Sequence, residues 1–359
     1  MSIMKNFWQK LNKPIVVIAP MADVTDVAFR TMFAKYGKPD VMWTEFVSAD
    51  GLVMAPDNNP DETGLSSKQK LLKDLEFTDA ERPIVAQLFG SNVERMEKAT
   101  RLCQELGFDG IDINMGCPDR SIERQGSGAA MIKNPESARA IIRAAKKGAP
   151  NLPISVKTRL GYNQDQLEEW LPELLSENPA VVTIHARTRK EMSKVPARWE
   201  RIKRAVEIRD EYQKGQPATS TCHVDLPRRQ QTLIFGNGDV IDLEDAQKKI
   251  DETGCDGVMI GRGIFGNPWR FNRGVNRGDI SIEDRLRVMV EHTKLFEKLL
   301  PHKSFNIMKK HYKAYLSGVA SAKTGVDGFG GAKELRMRLM EAKDGEEVEK
   351  IVVEFIGNS

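Results

Sequence analysis

The sequence predicts an α/β fold, a closed (β/α)8 TIM-type barrel followed by a C-terminal α-helical domain. Short apolar segments alternate with amphipathic helical segments about eight times before Phe271, which indicates parallel strands joined by helices. Eight such units over about 250 residues are typical of a closed barrel. A doubly wound open sheet usually carries GxGxxG after its first strand, and the segment IVVIAPMAD has none.

Strands are predicted where apolar residues run together or alternate with polar ones. Pro14–Met21 is continuously apolar, as expected of a strand buried on both faces. The strand from Ile111 alternates with Asp112 and Asn114 and ends before Pro118, since proline cannot donate to a ladder. The other predicted strands are Asp40–Ala49, Pro83–Gly90, Ile154–Leu160, Val181–Arg187, Thr232–Val240 and Gly257–Gly263.

The predicted barrel helices have start and stop signals. Thr25 or Asp26 can cap the first helix, which Gly37 closes, and Gly107 stops the helix Val93–Leu106. The others are Pro135–Lys147, Gln164–Leu175, Arg198–Tyr212 and Leu243–Thr253. Two stretches are predicted as irregular: polar Asp57–Arg82, whose part Asp57–Lys73 is long enough to close over a site, and the insertion Lys214–Gln231, which has no assigned role.

Beyond Phe271 the strand pattern gives way to helical spacing. Four helices are predicted there, Ile282–Leu300, Ser304–Ser317, Ala332–Ala342 and Glu346–Phe355. A linker near Asn272–Asp279 separates them from the barrel. We therefore predict a catalytic barrel at residues 1–275 and a helical domain at 276–359.

Composition narrows the functional classes. The net charge of +3 predicts that any polyanion binds through a local patch rather than through the overall field. Four scattered cysteines form no CxxC pair, so neither a disulfide framework nor a metal site is expected, and Cys222-His223 is read as loop. The N-terminus lacks the apolar core of a signal peptide, and no apolar run could span a membrane. We expect a cytoplasmic protein that does not bind membranes.

Polar residues follow almost every predicted strand, at the rim where such barrels place their active sites. Each has a structural alternative: Gln87 could satisfy backbone groups, Lys157 could pair with Asp112, and His185 could be structural. Their convergence on one rim favours a site. The set comprises Met21, Glu45, Gln87, Asn114, Cys117, Lys157, His185, Asn237, Gly238, Asp239, Gly261 and Arg262.

The seventh and eighth strands end in glycines that predict a phosphate site. Gly236, Gly238, Gly261 and Gly263 expose backbone N–H groups where barrels commonly bind phosphate, and Arg262 adds a charged donor. Tight turns alone are the alternative. A phosphate at one side and amide, lysine and histidine groups across the rim describe flavin mononucleotide, FMN.

Cys117 is the candidate catalytic residue, at a strand-to-loop junction followed by Gly126 and Gly128. A thiol with an ordinary pKa near 8.5 is mostly protonated at neutral pH, so it can deliver a proton. The alternative is a small buried hydrophobic residue.

Seven segments in chain order resemble the tRNA-dihydrouridine synthase family: IAPMADVTDVAFR, VAQLFGSN, DINMGCPDRSIERQGSGAAM, SVKTRLGY, TIHARTR, FGNGDV and IGRGIFGNPW. NMGCP is the most specific. The resemblance implies an enzyme that uses FMN and NADPH to reduce the C5=C6 bond of a tRNA uridine, with Cys117 as the general acid. It also implies FMN contacts from Pro20, Met21, Ala22, Gln87, Asn114, Lys157, His185, Asn237, Gly238, Asp239, Gly261 and Arg262.

Basic segments are the predicted tRNA contacts. The stretch His302–Lys323 has no acidic residue and interleaves lysines with Tyr312 and Tyr315, which suits phosphate contact with some stacking. A solvated helix face is the alternative. The predicted contacts there are Lys303, Lys309, Lys310 and Lys313, and near the rim Arg120, Arg124, Arg187, Arg189 and Lys190, with Lys194 beside them.

Two rival functions stay open at this stage. One is a flavin barrel that acts on a small molecule, as dihydroorotate-oxidising enzymes and ene-reductases do, without a basic helical tail. The other is a tRNA-binding chaperone without catalysis. The sequence determines neither the target uridine, nor NADPH against NADH; a monomer is expected.

Overall fold

The computed structural model describes residues 6–215, 231–316 and 329–357. Its eight strands are all parallel and pair in the order β1-β8-β7-β6-β5-β4-β3-β2. A bridge between Val17 and Val41, next to β2, joins the two end strands. The predicted (β/α)8 class with additional C-terminal helices is confirmed. The strands are β1 Ile15–Ile18, β2 Met42–Ser48, β3 Ile84–Phe89, β4 Gly110–Met115, β5 Ile154–Arg159, β6 Val181–His185, β7 Leu233–Asn237 and β8 Gly257–Ile260.

Within the described residues, nine α-helices accompany the strands and four more follow them. The first nine are α1 Val27–Tyr36, α2 Ala49–Met54, α3 Ser67–Asp74, α4 Val93–Glu105, α5 Arg120–Arg124, α6 Pro135–Gly148, α7 Leu167–Leu175, α8 Trp199–Gly215 and α9 Leu243–Thr253. The described part of the tail contains α10 Ile282–Leu299, α11 Lys309–Leu316, α12 Ala332–Glu341 and α13 Gly345–Gly357. None of the helices in the described ranges is long and apolar enough to cross a bilayer.

The polar stretch after β2 is not one loop. It contains α3, which starts with a capping box in which the Ser66 hydroxyl accepts from the Gln69 N–H and the Gln69 side chain accepts from the Ser66 N–H. The prediction that Asp57–Lys73 is an irregular loop was therefore wrong for its second half. Short helix α5 was also missed, and most of Lys214–Gln231, with Cys222 and His223, lies outside the described residues.

The barrel interior divides into an apolar end and a polar end. At the amino end of the strands, buried Trp8 from a short 3-10 helix packs against the rings of Trp43 and Phe235, at centroid distances of 5.8 and 5.5 Å. Toward the carboxyl end, buried Gln87, Asp112 and other polar side chains bond to one another. Because barrels of this kind place their active sites at the carboxyl ends of the strands, this polar end is where the chemistry is expected.

The helical tail shares a core with barrel helix α1. Val27, Ala28 and Met32 of α1 belong to the same apolar cluster as residues of α10 to α13. The Phe29 ring lies 5.7 Å from the ring of His292 and 5.4 Å from that of His311. The domain boundary at 275/276 stays a prediction, since the two parts pack together.

Candidate active site

A cavity of about 270 Å³ opens at the carboxyl ends of β1, β5, β6, β7 and β8. Four of its side chains are basic, and Asp239 is its one carboxylate, so the lining is strongly cationic. The lining comprises Ala19, Pro20, Met21, Lys157, Arg159, His185, Arg187, Ser193, Asn237, Gly238, Asp239, Val240, Gly261 and Arg262. A concave site of this charge suits an anionic ligand.

The turn after β7 depends on a glycine. Gly238 has a φ of +124°, and a Cβ there would lie 2.9 Å from the Ala197 Cβ and 3.0 Å from the His185 ring. Only glycine allows both the conformation and the close approach. The turn thereby brings Asn237 and Asp239 to the same cavity as His185.

Asp239 organises the basic side chains. Its carboxylate accepts from the Arg187 guanidinium and, at 2.8 Å, from that of Arg262. Arg187 also lies 3.0 Å from His185 Nε2, and a guanidinium can only donate, so that nitrogen accepts. Burial and four neighbouring cations hold the pKa of His185 well below its usual range, so the imidazole is neutral.

Lys157 is half-buried and has a neutral hydrogen-bond partner. Its ammonium donates to Asn237 Oδ1 at 3.3 Å, and the Asn237 amide donates to the Met259 carbonyl at 2.8 Å. Burial, reinforced by Arg159, lowers the pKa of Lys157 to about 8, against the opposing effect of Asp112. The predicted alternative, a Lys157–Asp112 pair, is replaced by these contacts.

Cys117 lies beside the cavity on the loop after β4 and is half-buried. Its N–H donates to Asn114 Oδ1 at 2.9 Å, and its carbonyl accepts from the Ala129 N–H at 2.9 Å. Gly128, with a φ of +61°, allows this packing, because a Cβ there would lie 2.7 Å from the Cys117 carbonyl oxygen. Burial raises the pKa of the Cys117 thiol despite the opposing effects of Arg159 and Lys157. The group is therefore a protonated thiol at neutral pH.

Three predicted cofactor contacts lie outside the cavity lining. Ala22 is exposed on the β1–α1 turn. Gln87 and Asn114 are buried, and their amides bond to each other at 3.1 Å. The cavity does take in Pro20, Met21, Lys157, His185, Asn237, Gly238, Asp239, Gly261 and Arg262.

Two site residues escaped prediction. Arg159 lines the cavity, and its Nε donates to the Gly116 carbonyl at 2.8 Å. Asp112 is buried and accepts from Ser155 and Gln87. The sequence signal was their position on strands that also carry Lys157 and Asn114, since alternate residues of a strand share a face.

The predicted RNA contacts divide into exposed and buried side chains. Lys303 is wrong as a surface cation: its side chain is 12% exposed and pairs with Glu45 and Asp74 at 2.6 and 2.9 Å. Arg187 is buried in the cavity wall, and Arg189 is paired with Glu123. Arg120, Arg124, Lys190, Lys194, Lys310 and Lys313 are exposed, and Lys309 is half-buried.

The aromatic residues of the basic segment do not face solvent. Tyr312 and Tyr315 are buried in the core of the tail, so the prediction that they stack on bases is wrong. Their spacing places them on the inner face of α11, opposite the lysines. Lys323 lies outside the described residues.

Comparison with known proteins identifies the family. The protein-family model described as "Dihydrouridine synthase (Dus)" matches residues 17–213 and 215–356 of this chain. The chain belongs to the dihydrouridine synthase family. It is therefore a flavin-dependent oxidoreductase, as the motifs predict.

Two curated relatives match nearly the whole chain. "Probable tRNA-dihydrouridine synthase 2" of Bacillus subtilis (strain 168) is 37% identical over 354 residues, which cover 98% of this chain and 97% of the relative. "Probable tRNA-dihydrouridine synthase" of Staphylococcus epidermidis (strain RP62A) is 35% identical over 354 residues, 98% of this chain and 96% of the relative.

One solved structure reports on the fold. A 2-naphthoyl-CoA reductase complex has a TM-score of 0.50 at 11% identity, and the match covers 72% of this chain and 49% of that one.

Among the described residues, no cluster of three or more His, Cys, Asp and Glu side chains could hold a metal ion.

Proposed function

We propose that this chain is an FMN- and NADPH-dependent tRNA-dihydrouridine synthase, which reduces the C5=C6 bond of uridines in tRNA to give 5,6-dihydrouridine. The observation that carries the proposal is a protonated cysteine beside a cationic cavity at the carboxyl ends of the barrel strands. Full-length similarity to proteins named as probable tRNA-dihydrouridine synthases supports the tRNA substrate.

The donor set fits FMN. Gly261 leaves open space for the phosphate, since a Cβ there would meet nothing closer than 3.8 Å, and Arg262 supplies a cation. Gly238 allows the tight turn beside them. Lys157 is a half-buried ammonium whose hydrogen-bond partner is neutral, so an anionic flavin ring would supply the counter-charge that it lacks. Pro20, Met21 and His185 supply the remaining surface. A bound flavin reduced by NADPH supplies the hydride.

The protein's own contribution to the reaction is a placed proton. Burial keeps Cys117 as a thiol at neutral pH, and its backbone is held by Asn114 and Ala129. The thiol gives its proton to C5 of the uracil, because reduction at C6 leaves C5 to be protonated. Neighbouring Arg159 and Lys157 stabilise the thiolate that remains.

The exposed basic side chains form the proposed tRNA surface. Arg120 and Arg124 are the first and last residues of α5, which follows β4, and Lys190 lies on the loop after β6; Lys309, Lys310 and Lys313 lie on α11. The target base must leave its stack to enter the cavity, which is easiest in an open tRNA loop. The proposed working unit is a cytoplasmic monomer, because one chain supplies the cavity and Cys117.

Reoxidation of the reduced flavoprotein tests the proposal. Purified protein reduced with NADPH is mixed anaerobically with unmodified tRNA, with orotate or with a simple enone, and flavin absorbance is followed. We expect reoxidation with tRNA, together with a mass gain of two hydrogens in a uridine. Reoxidation by the small molecules but not by tRNA would refute the proposed function.

A further inference from the structure

A buried chain of hydrogen bonds runs from the barrel interior to the backbone of Cys117. The Ser155 hydroxyl and the Gln87 Nε2 amide each donate to Asp112, both at 2.6 Å. Asn114 Nδ2 donates to Gln87 Oε1 at 3.1 Å. Asn114 Oδ1 then accepts from the N–H groups of Gly116 and Cys117, at 3.1 and 2.9 Å.

The direction of every bond in this chain is determined by its two ends. Backbone N–H groups can only donate, and an ionised carboxylate can only accept. Between them, the two amides must each turn the oxygen toward Cys117 and the nitrogen toward Asp112. An amide turned the other way would place nitrogen against N–H, and each such mismatch between buried groups is costly.

We propose that Asp112 is a positioning residue whose negative charge, acting through Gln87 and Asn114, orients the amide acceptor that holds the Cys117 loop. Asp112 is buried and bonds to Ser155 and Gln87 rather than to a cation. Its charge also acts on Lys157 at longer range, but its hydrogen bonds go to Ser155 and to the first link of this chain. Only one consequence, that the loop positions Cys117 as the proton donor, rests on the proposed function.

The position of the chain supports this role. Gln87, Asp112, Asn114 and Ser155 lie on neighbouring strands β3, β4 and β5, where Gln87 is in register with Asp112 and Asp112 with Ser155. All four are buried, with relative exposures of at most 6%. Water therefore has little access to replace a lost partner, so the orientation of each amide depends on its neighbour.

Moving the buried negative charge from position 112 to position 87 tests this proposal. In Gln87→Glu, assayed in alkaline solution where the pair has lost its shared proton, two buried carboxylates face each other and their repulsion disrupts the chain. In the double variant Asp112→Asn with Gln87→Glu, the introduced amide at position 112 donates to the introduced carboxylate at position 87, and that carboxylate also accepts from Asn114. The acceptor oxygen of Asn114 then faces Gly116 and Cys117 as in the parent protein. Relief of the charge repulsion also favours this recovery, so the uncharged variant Gln87→Leu is compared beside it.

The readout is alkylation of Cys117 by iodoacetamide in the protein as purified, followed by mass spectrometry of the peptide that contains it. Burial raises the pKa of this thiol, which slows its alkylation. If the loop loosens, the thiol becomes exposed, its pKa falls and alkylation is faster. We expect Gln87→Glu to react about tenfold faster and to form dihydrouridine about tenfold more slowly. The double variant should return to within about threefold of the parent in both assays.

Ser155→Ala is the matched control, since it removes a hydrogen bond from the far side of Asp112 and leaves the link to Gln87. Its alkylation rate should match the parent's. If Gln87→Glu does not fold, Gln87→Leu breaks the chain without adding charge and should also accelerate alkylation. Unchanged alkylation in both Gln87 variants, or a double variant no closer to the parent than Gln87→Glu, would overturn the proposal. Absence of dihydrouridine from the parent's reaction would instead refute the proposed function, and the alkylation comparison would still stand.

Discussion

Replacing Lys303 by methionine tests how much a buried ion pair between the helical tail and the barrel stabilises the protein. Lys303 bonds to Glu45 at 2.6 Å and to Asp74 at 2.9 Å, and the side chains of Lys303 and Glu45 are only 12% and 6% exposed. Glu45 also accepts the N–H of Asp23, on the turn that follows β1. Removing the ammonium leaves a buried carboxylate without its cation.

Loss of one partner of a buried ion pair costs about 3 kcal/mol. The unfolding entropy is about 2.1 cal/mol/K per residue, and the chain has 359 residues. Since barrel and tail share a core and should melt together, the melting temperature should fall by about 4 °C. The raised pKa of Lys303 adds stability that is present below the ordinary lysine pKa and is lost only in strongly alkaline solution. Without Lys303, burial raises the pKa of Glu45 further, so the shift should become smaller as the pH falls and Glu45 is protonated.

Scanning calorimetry of Lys303→Met against Lys294→Met measures the effect. Lys294 pairs with Glu349 in the same tail, but both side chains are nearly half-exposed, at 46% and 47%, so this control should lose at most about 1 kcal/mol, about 1 °C. Adding Glu45→Gln to Lys303→Met should restore part of the loss, since no uncompensated Glu45 charge remains. Equal melting temperatures for Lys303→Met and Lys294→Met would show that the buried ion pair stabilises the protein no more than an exposed one does.

Three further predictions concern the reaction. Cys117→Ala should lower dihydrouridine formation by about 10²-fold or more while flavin binding persists, as mass spectrometry of tRNA and absorbance of bound flavin would show; normal turnover would exclude Cys117 as the acid. The affinity for FMN should fall up to tenfold per pH unit above about pH 8, because only the protonated form of Lys157 attracts this anionic cofactor. Fluorescence titration should show no such slope for Lys157→Met, and a wild-type affinity that is constant across this range would contradict the prediction. Arg124→Glu with Lys190→Glu should weaken tRNA binding and reduce its log–log salt slope by about two; an unchanged slope would remove these residues from the RNA surface.

Local pattern was enough to predict the strands and the rim. Alternation and apolar runs determine which segments become strands, and a parallel barrel then places all their carboxyl ends at one face. The cavity consequently contains Met21, Lys157 and His185, which were singled out as strand-end residues, together with Pro20, which only the family resemblance implied. Gly238 was likewise identified by its place in the turn after β7, where its φ is positive.

The partner of each charged or amide group was decided only by the tertiary structure. Lys303 occurs in a segment without acidic residues and reads as a surface cation, yet it pairs with Glu45, which is 258 residues away in the chain. Gln87 and Asn114 stay predicted cofactor contacts, but the strand register that places Gln87 next to Asp112 could not be predicted from the sequence. Sequence periodicity specifies the face on which a residue lies, because backbone geometry is local; its hydrogen-bond partner depends on which distant elements pack against that face.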